Sequence, residues 1–547
     1  MRGEDPSDTE EDKQTRNHEA EGNQGCPVKM YHERPCGRPI YNAPYGTDKT
    51  PVCLMHSRDP NKADAEFQAE FERILRDAGK GIADFSEFVF PSSNYVMREF
   101  KPVCVFRRAT FMQDANFFKA TFTQDTNFGL AAFIRDANFS QATFTQDVDF
   151  RGATFTQAAN FLLVKFKQDA NFPGVKLKQN AIFYRATFKQ DANFIGATFT
   201  QGAHFSGATF TQDADFDEAT FTQVADFSQA NFMGSAEFRT TTFRSDSGRD
   251  PGPFFIRTRF ERPEAVEFAD LDLGRALFYR GDVSKVGFSN VRWRRRENGK
   301  WMLFEEVANL EHDSAAFGLL PEKDTPDDRN YVVIAELYQQ LKKNYDDRRD
   351  YWTAGDFHYG EMEMKRLACP RLTWPSRLEA KLSGRPRFRK LSEWCGKLQS
   401  SAWLLSKLRW WHQHFGLAAW YRRFSDYGES WGRPLLWLFV VLAVSAALYP
   451  LLGLRRAEGN SPAGRTTSVQ VQTPSPQETD LRYWSHGRPR RLFWHSVMTS
   501  FGVAAFQRDL AYEPSYPWGR LFALFELLHT STLIALFLLA VRRQFRR

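Results

Sequence analysis

The nine residues ATFTQDTNF at 120–128 return in slightly altered form along the chain: ATFMQDANF at 109–117, ATFTQDVDF at 142–150, ATFTQAANF at 153–161, ATFKQDANF at 186–194 and ATFTQDADF at 208–216. Their aromatic positions run Phe106, Phe111, Phe117, Phe122, Phe128 and onward to Phe238 and Phe243, in alternating steps of five and six. Of these 26 positions 25 are Phe, the exception being Leu177. Ala stands two residues before most of them, as at Ala115, Ala120, Ala137, Ala142, Ala192 and Ala197. A helix would place apolar residues three and four apart and a strand would alternate them strictly, so neither period explains the pattern. A bulky residue every five or six, with a small one two before it, suits a solenoid of short faces with a bend at each corner. Phe fills the centre of the coil, and Ala fits where a larger side chain would clash.

These residues resemble the pentapeptide-repeat family, whose pattern is A-(N/D)-(L/F)-x-x. The resemblance implies a right-handed quadrilateral β-helix. From Val266 to Trp293 the chain keeps a strict five-residue step through Phe268, Leu273, Phe278, Val283, Phe288 and Trp293. Upstream, the 5/6 alternation departs from the simplest family pattern. It implies either 22-residue coils with two enlarged corners or a three-sided coil, and four sides are favoured. At about 4.8 Å per strand, 26 positions make a rod of roughly 31 Å.

Two outward columns follow the 11-residue register. One is Gln113, Gln124, Gln146, Gln157, Gln168, Gln179, Gln190, Gln201, Gln212 and Gln223; the other is Asp114, Asp125, Asp136, Asp147, Asp169, Asp191 and Asp213. They form a polar binding face or, the preferred expectation, a solvated corner with stacked amide ladders. The resemblance also implies DNA mimicry for strongly acidic members. Here Phe106 to Phe243 holds 13 acidic against 12 basic residues, so that function and a nucleic-acid partner are not expected.

Three cysteines cluster near the N-terminus. Cys26, Cys36, Cys53 and His56 form a C-x9-C-x16-C-x2-H set, with His32 as a spare ligand. Thiolate and imidazole in fours suit tetrahedral zinc, and a Pro/Gly-rich knuckle with little core would need a metal to fold. Four protein ligands leave no open position, so the expected zinc is structural. The six Cys of the chain are too few for a disulfide scaffold.

Beyond Asp327, Val333, Leu337, Leu341 and Tyr345 mark one face of a helix. A break at Ala354–Gly355 and a second helix carrying Phe357, Met362 and Met364 complete an expected hairpin. His358, Glu361 and Glu363 lie close in sequence, but their spacing does not place all three on one face.

The C-terminal region turns apolar. Leu435–Leu454 has no charge and is long enough to span a bilayer core of about 30 Å; Leu521–Val541 is a second span, interrupted by Glu526 and His529. Trp431, Trp437 and Trp518 stand near the span ends, and the stretch before the first span suits an interfacial amphipathic helix. Between the spans, Leu492–Phe506 is short for a crossing and suits a re-entrant pore helix. YGES, LKKNY, GDFHYGEMEM and ALFLLAVRRQFRR resemble the channel-like tail of some bacterial pentapeptide-repeat membrane proteins. The filter region departs from T-V-G-Y-G: it reads Thr499-Ser500-Phe501-Gly502-Val503, so potassium selectivity does not follow. The candidate pore or intramembrane residues are Glu526, His529, Thr499, Ser500 and Gly502.

The expected organisation is a disordered acidic tail (1–24), a zinc knuckle (25–58), a short helical cap or linker (59–100) and the 5/6-step β-helix (101–250). Further coils and a hairpin end (251–305), a helical hairpin with an interfacial helix (306–430) and a membrane domain (431–547) complete it. No phosphate loop, nucleophile elbow or H-E-x-x-H is present, so no enzyme is expected. The expected function is a scaffold anchored in the cell inner or plasma membrane, both termini cytoplasmic, contacting membrane lipid and a cytoplasmic protein. The alternative is an oligomeric two-span channel with a non-potassium pore loop, tetrameric and gated through the β-helix.

Overall fold

The computed structural model describes residues 25–31, 33–41, 50–244, 252–311, 331–368, 402–452, 454–456, 489–507, 512–514 and 517–546. The expected acidic tail and His32 lie outside them. Two compact units divide the chain after Asp347.

The first unit is built on a four-sided β-solenoid. Strands of two to four residues stack into parallel sheets of ten, eight, seven and eight strands, most pairing with the fourth strand along. Ala132 pairs with Thr154 and Thr143 with Lys165, so one coil takes 22 residues. The step of five turns a corner through a left-handed residue, as at Lys119, Leu130, Gln141 and Leu163, and Gly takes that position at Gly152, Gly174, Gly196 and Gly207. Asn or Asp before the inward Phe closes the same corner: Asn127 Oδ1 accepts from Gly129 N at 2.7 Å and Asn160 Oδ1 from Leu162 N at 3.0 Å. The step of six accommodates the extra Gln-Asp residues in a wider corner.

Inside, the Phe rings stack coil upon coil, with Phe111 and Phe133 at 4.6 Å and 2° and Phe122 and Phe144 at 4.8 Å and 3°. Rings on adjacent faces meet edge-on, as Phe117 and Phe128 do at 5.9 Å and 76°. The Ala positions two before them are buried. In the last full coil Phe268 pairs with Phe288, and the coil shortens to 20 residues where every step is five.

The solenoid starts earlier than the sequence pattern suggests. Ile82–Asp84 already pairs with Val103–Val105, so 82–100, expected as cap or linker, is the first coil. Its inward residues Phe85, Phe90, Tyr95 and Phe100 step by five, with six only before Phe106, and Tyr95 replaces a Phe. That irregularity hides it. With this coil included, the ten-strand face is about 43 Å long.

Both open ends are closed by the chain itself, which protects edges that would otherwise pair with other strands. At the N-terminal end, helix α1 (Asp64–Ala78) lays Phe67, Phe71 and Leu75 over the first coil, with Phe71 at 4.6 Å from Phe85 and 5.1 Å from Tyr95. At the other end a short hairpin (294–295 with 301–302) leads into α2 (Phe304–Glu311) and α3 (Tyr331–Asp347). Asn344 of α3 donates to the carbonyls of Val283 (2.9 Å) and Val286 (2.8 Å), and Trp293 Nε1 meets Tyr345 Oη at 3.0 Å. Glu305 of α2 accepts from Phe278 N, and burial pushes its carboxyl up to about 7.

The second unit is helical: α4 (Tyr351–Leu367), α5 (Ala402–Phe415), α6 (Leu417–Ser425), α7 (Gly432–Leu452), α8 (Pro489–Ala504) and α9 (Pro517–Arg546). The break expected at Ala354–Gly355 lies instead just before α4, because Asp350 caps that helix by accepting from Thr353 N at 3.1 Å. Ala354 and Gly355 are buried inside the helix, where small side chains let a neighbour approach. Helices α7 and α9 are long and apolar enough to cross a membrane.

Candidate metal centre and membrane-helix cluster

Two sites emerge, one in each unit. In the first, residues 26–38 fold back on themselves: Cys26 N donates to Arg38 O and Cys36 N to Val28 O, both at 2.8 Å. This places Cys26 and Cys36 opposite each other and explains how a nine-residue spacing can serve one site. Cys53 and His56 share a single turn closed by His56 N and Ser57 N on the Cys53 carbonyl. The four ligand atoms all lie within 4.8 Å of one another. His56 Nδ1 is 3.1 Å from Cys53 Sγ and 3.4 Å from Cys26 Sγ, and Cys36 Sγ is 3.8 Å from Cys53 Sγ. Tetrahedral ligands at about 2.1–2.3 Å from one ion sit roughly 3.4–3.8 Å apart, so this group could hold a metal ion.

The surroundings orient the set. His56 Nε2 faces the Ser86 carbonyl at 3.2 Å, which assigns Nε2 the proton and turns the Nδ1 lone pair toward the sulfurs. Arg38 Nη1 donates to Cys36 Sγ at 3.1 Å while its Nε holds Glu70 of α1 at 3.0 Å. Hydrogen bonds from Cys26 and Cys53 hold the Cys36 thiol well below its ordinary range, favouring the thiolate. Buried Lys62 donates to the carbonyls of Leu54 and Ser57, both at 2.9 Å, and to that of Val89. The knuckle is therefore built onto the first coil through Ser86 and Val89. Arg38, Lys62 and Ser86 escaped the sequence reading because a carbonyl acceptor or a lone Arg has no spacing signature.

The Gln–Asp columns resolve into a structural role for Asp. Asp147 Oδ1 accepts from Asp169 N at 3.2 Å, Asp169 from Asp191 N at 3.3 Å and Asp191 from Asp213 N at 3.3 Å. Asp136 and Asp213 accept likewise from Ala158 N and Ser235 N, so these five Asp satisfy corner amides of the coil above. The repeating bond is carboxylate to backbone, whereas stacked amides were the expectation.

In the second unit, α7, α8 and α9 pack together around a buried carboxyl. Glu526 is 1% exposed and accepts from Tyr449 Oη of α7 at 2.5 Å and from Ser500 Oγ of α8. Ser500 Oγ also lies 3.3 Å from the Leu442 carbonyl. Of the other candidate residues, Thr499 is buried and bonds to His495 O of its own helix at 2.8 Å, and Gly502 is buried in α8. His529 is not brought to Glu526. It is half-buried, bonds to the Phe525 carbonyl at 2.9 Å and rests on the Phe525 ring. Tyr449 was missed because a single Tyr near a span end reads as an interfacial anchor.

A second polar clasp joins the span ends. Arg543, at the end of α9, meets the Tyr427 carbonyl at 3.2 Å and Glu429 at 3.3 Å, just before α7 begins. At the opposite ends Leu454–Arg456 pairs antiparallel with Tyr512–Pro514. The two apolar helices are therefore an antiparallel pair. Tyr427 Oη donates to Glu363 at 2.9 Å, and Glu363 also takes Arg366 at 2.6 Å and Arg422 at 3.0 Å. Burial alone would raise the Glu363 carboxyl; the two guanidiniums and the phenol outweigh it and hold it below the usual range. Glu361 pairs with Lys365 at 2.6 Å. Arg366, Arg422 and the Tyr427 phenol thus hold the Glu363 carboxylate, while Lys365 and, at 3.6 Å, His358 Nδ1 flank that of Glu361.

The family model described as pentapeptide repeats (9 copies) matches residues 106–154, 150–198 and 172–220. No curated protein and no solved structure matches the chain.

Proposed function

From a chain whose centre is a pentapeptide-repeat β-solenoid, we infer a membrane-anchored scaffold that presents its lateral faces to a cytoplasmic protein. The observation that supports this most directly is the closure of both solenoid ends by α1 and α3. With the ends covered, the long sides are the surface left for contact, and the Asp column is already engaged with its own backbone. Helices α7 and α9 supply the anchor, in the cell inner or plasma membrane with both chain termini on the cytoplasmic side. The Cys3His group holds zinc in a structural role, fastening the knuckle to the first coil; four protein ligands leave it no reacting position.

A second reading is an oligomeric channel, four chains each giving two spans and α8. The position of Ser500 in α8 beside Glu526 favours it, and the hydroxyl partners on that carboxyl weigh against a water-lined role. Bilayer recording with purified full-length protein separates the two. The scaffold expects a flat baseline together with resistance to alkaline extraction from membranes, and unitary current steps would replace it with the channel. Metal analysis of the full chain is expected to give one zinc per chain, falling well below half in Cys53→Ser. A ratio near zero in the parent, with no change on chelation, would remove the metal.

A further inference from the structure

Just before the first span, α5 and α6 form a surface that the scaffold reading leaves unused. From Ala402 to Ser425 the sequence has no Asp or Glu and carries Lys407, Arg409, Arg422 and Arg423. One side of α5 is fastened to the end of α4, where Arg366 donates to the Gln413 carbonyl at 2.9 Å and Gln413 Nε2 to the Leu367 carbonyl at 3.3 Å. The other side leaves Trp410, Trp411, Phe415, Leu417 and Trp420 exposed, Leu417 at 90%.

These side chains are ordered among themselves. Trp411 packs on Phe415 at 4.7 Å, Trp420 on Phe424 at 5.1 Å, and the Arg423 guanidinium sits 5.6 Å from the Trp420 ring. Phe424 in turn meets Trp437 of α7 edge-on at 5.3 Å, so the surface continues directly into the first span. Five large apolar side chains gathered on one exposed surface are unusual against water. Tryptophan and cations together, without a carboxylate, fit the layer where acyl chains meet phosphates.

We propose that α5 and α6 dock on anionic phospholipid headgroups, the Trp and Phe rings entering the acyl boundary and Arg423 reaching lipid phosphates. Arg422 is already committed to Glu363. The proposal rests on α7 and α9 being membrane spans.

The test uses the full-length chain in detergent micelles, with energy transfer from tryptophan to dansyl-labelled phosphatidylglycerol or phosphatidylcholine. The anionic lipid should bind roughly tenfold more tightly at low salt, and the preference should shrink in half-molar salt. The variant Arg423→Gln should lose roughly fivefold in affinity for phosphatidylglycerol and leave phosphatidylcholine unchanged. Equal binding of the two lipids by the parent, or a preference undiminished in the variant, would overturn it, the former pointing to a protein partner for this surface. Alkaline extraction of membranes, run on parent and variant, reads the spans separately. Both should stay in the pellet, and release of the parent would sink the span reading whatever its lipid preference.

Discussion

The solenoid and the helical unit solve the burial of polar groups in opposite ways. The solenoid repeats one solution many times: a Phe column inside, backbone pairing between coils, and a run of Asp from Asp136 to Asp213 taking corner amides of the coil above. The helical unit relies on a few polar centres used once, Glu526 between three helices and Glu363 among Arg366, Arg422 and Tyr427. Loss of one member of a repeat should be felt locally, whereas loss of a clasp should loosen every helix that meets there.

The largest expected effect tests the local half of that contrast. Phe144 lies between Phe122 at 4.8 Å and Phe166 at 5.3 Å. Phe144→Ala should lower stability by about 3–5 kcal/mol, and Phe199→Ala similarly. Hydrogen exchange should show the loss concentrated in adjoining coils. A uniform loss over the whole solenoid would break the contrast.

Next comes Glu305, whose folded value near 7 exceeds the ordinary 4.5. A raised carboxyl contributes fully below about pH 4.5, and the contribution is lost as pH rises through 7. Glu305→Gln should therefore stabilise the C-terminal end of the solenoid at pH 8, by on the order of 2–3 kcal/mol, and change little at pH 4. Thermal melts at the two pH values check the sign.

Glu363 carries the reverse sign, because its folded value is depressed. Its contribution is present above about pH 4.5 and is lost as pH falls through the folded value. Glu363→Gln should cost about 2 kcal/mol at pH 7 through lost charged hydrogen bonds. It should also expose sites in α4 and α6 to proteolysis together. Cleavage confined to α4 would show that the clasp is not shared.

The smallest effects belong to the outward columns. Asp169→Ala should cost about 0.5–1 kcal/mol, since the amide of Asp191 loses its acceptor at 3.3 Å. Gln157→Ser should change stability by less than about 0.5 kcal/mol. Equal melting shifts for these two variants would undo the assignment of Asp, and not Gln, as the bonded column.

What the sequence made legible was whatever repeats. The Phe period shows the coil and its inward residues, because one large ring per face is a strong signal against any helix or strand period. The first coil was obscured where Tyr95 and unbroken steps of five interrupt that signal. The Cys3His spacing pointed to the metal group, but not to Ser86, which acts only through its backbone carbonyl. In the helical unit, contacts join residues far apart in sequence, such as Tyr449 with Glu526 or Tyr427 with Arg543. No local pattern encodes such pairs, so packing decides them. The start of α4 is written in Asp350, a cap signal that the helix-breaking tendency of Gly355 masks.

The alternation of corners has a geometric consequence. Faces carrying Ala-Asn-Phe and faces carrying Ala-Thr-Phe alternate around the coil, and the pattern returns after 11 residues, whereas a full revolution takes 22. The solenoid therefore has an approximate twofold screw along its axis. Inserting 11 residues, one Ala-Asn-Phe step and one Ala-Thr-Phe step, would preserve every inward contact yet turn all later coils by half a revolution. Inserting 22 would restore their direction and lengthen the rod by about 4.8 Å. Length and facing are thus set independently, by counting half-turns in the gene product, and a register error of one residue has no such refuge.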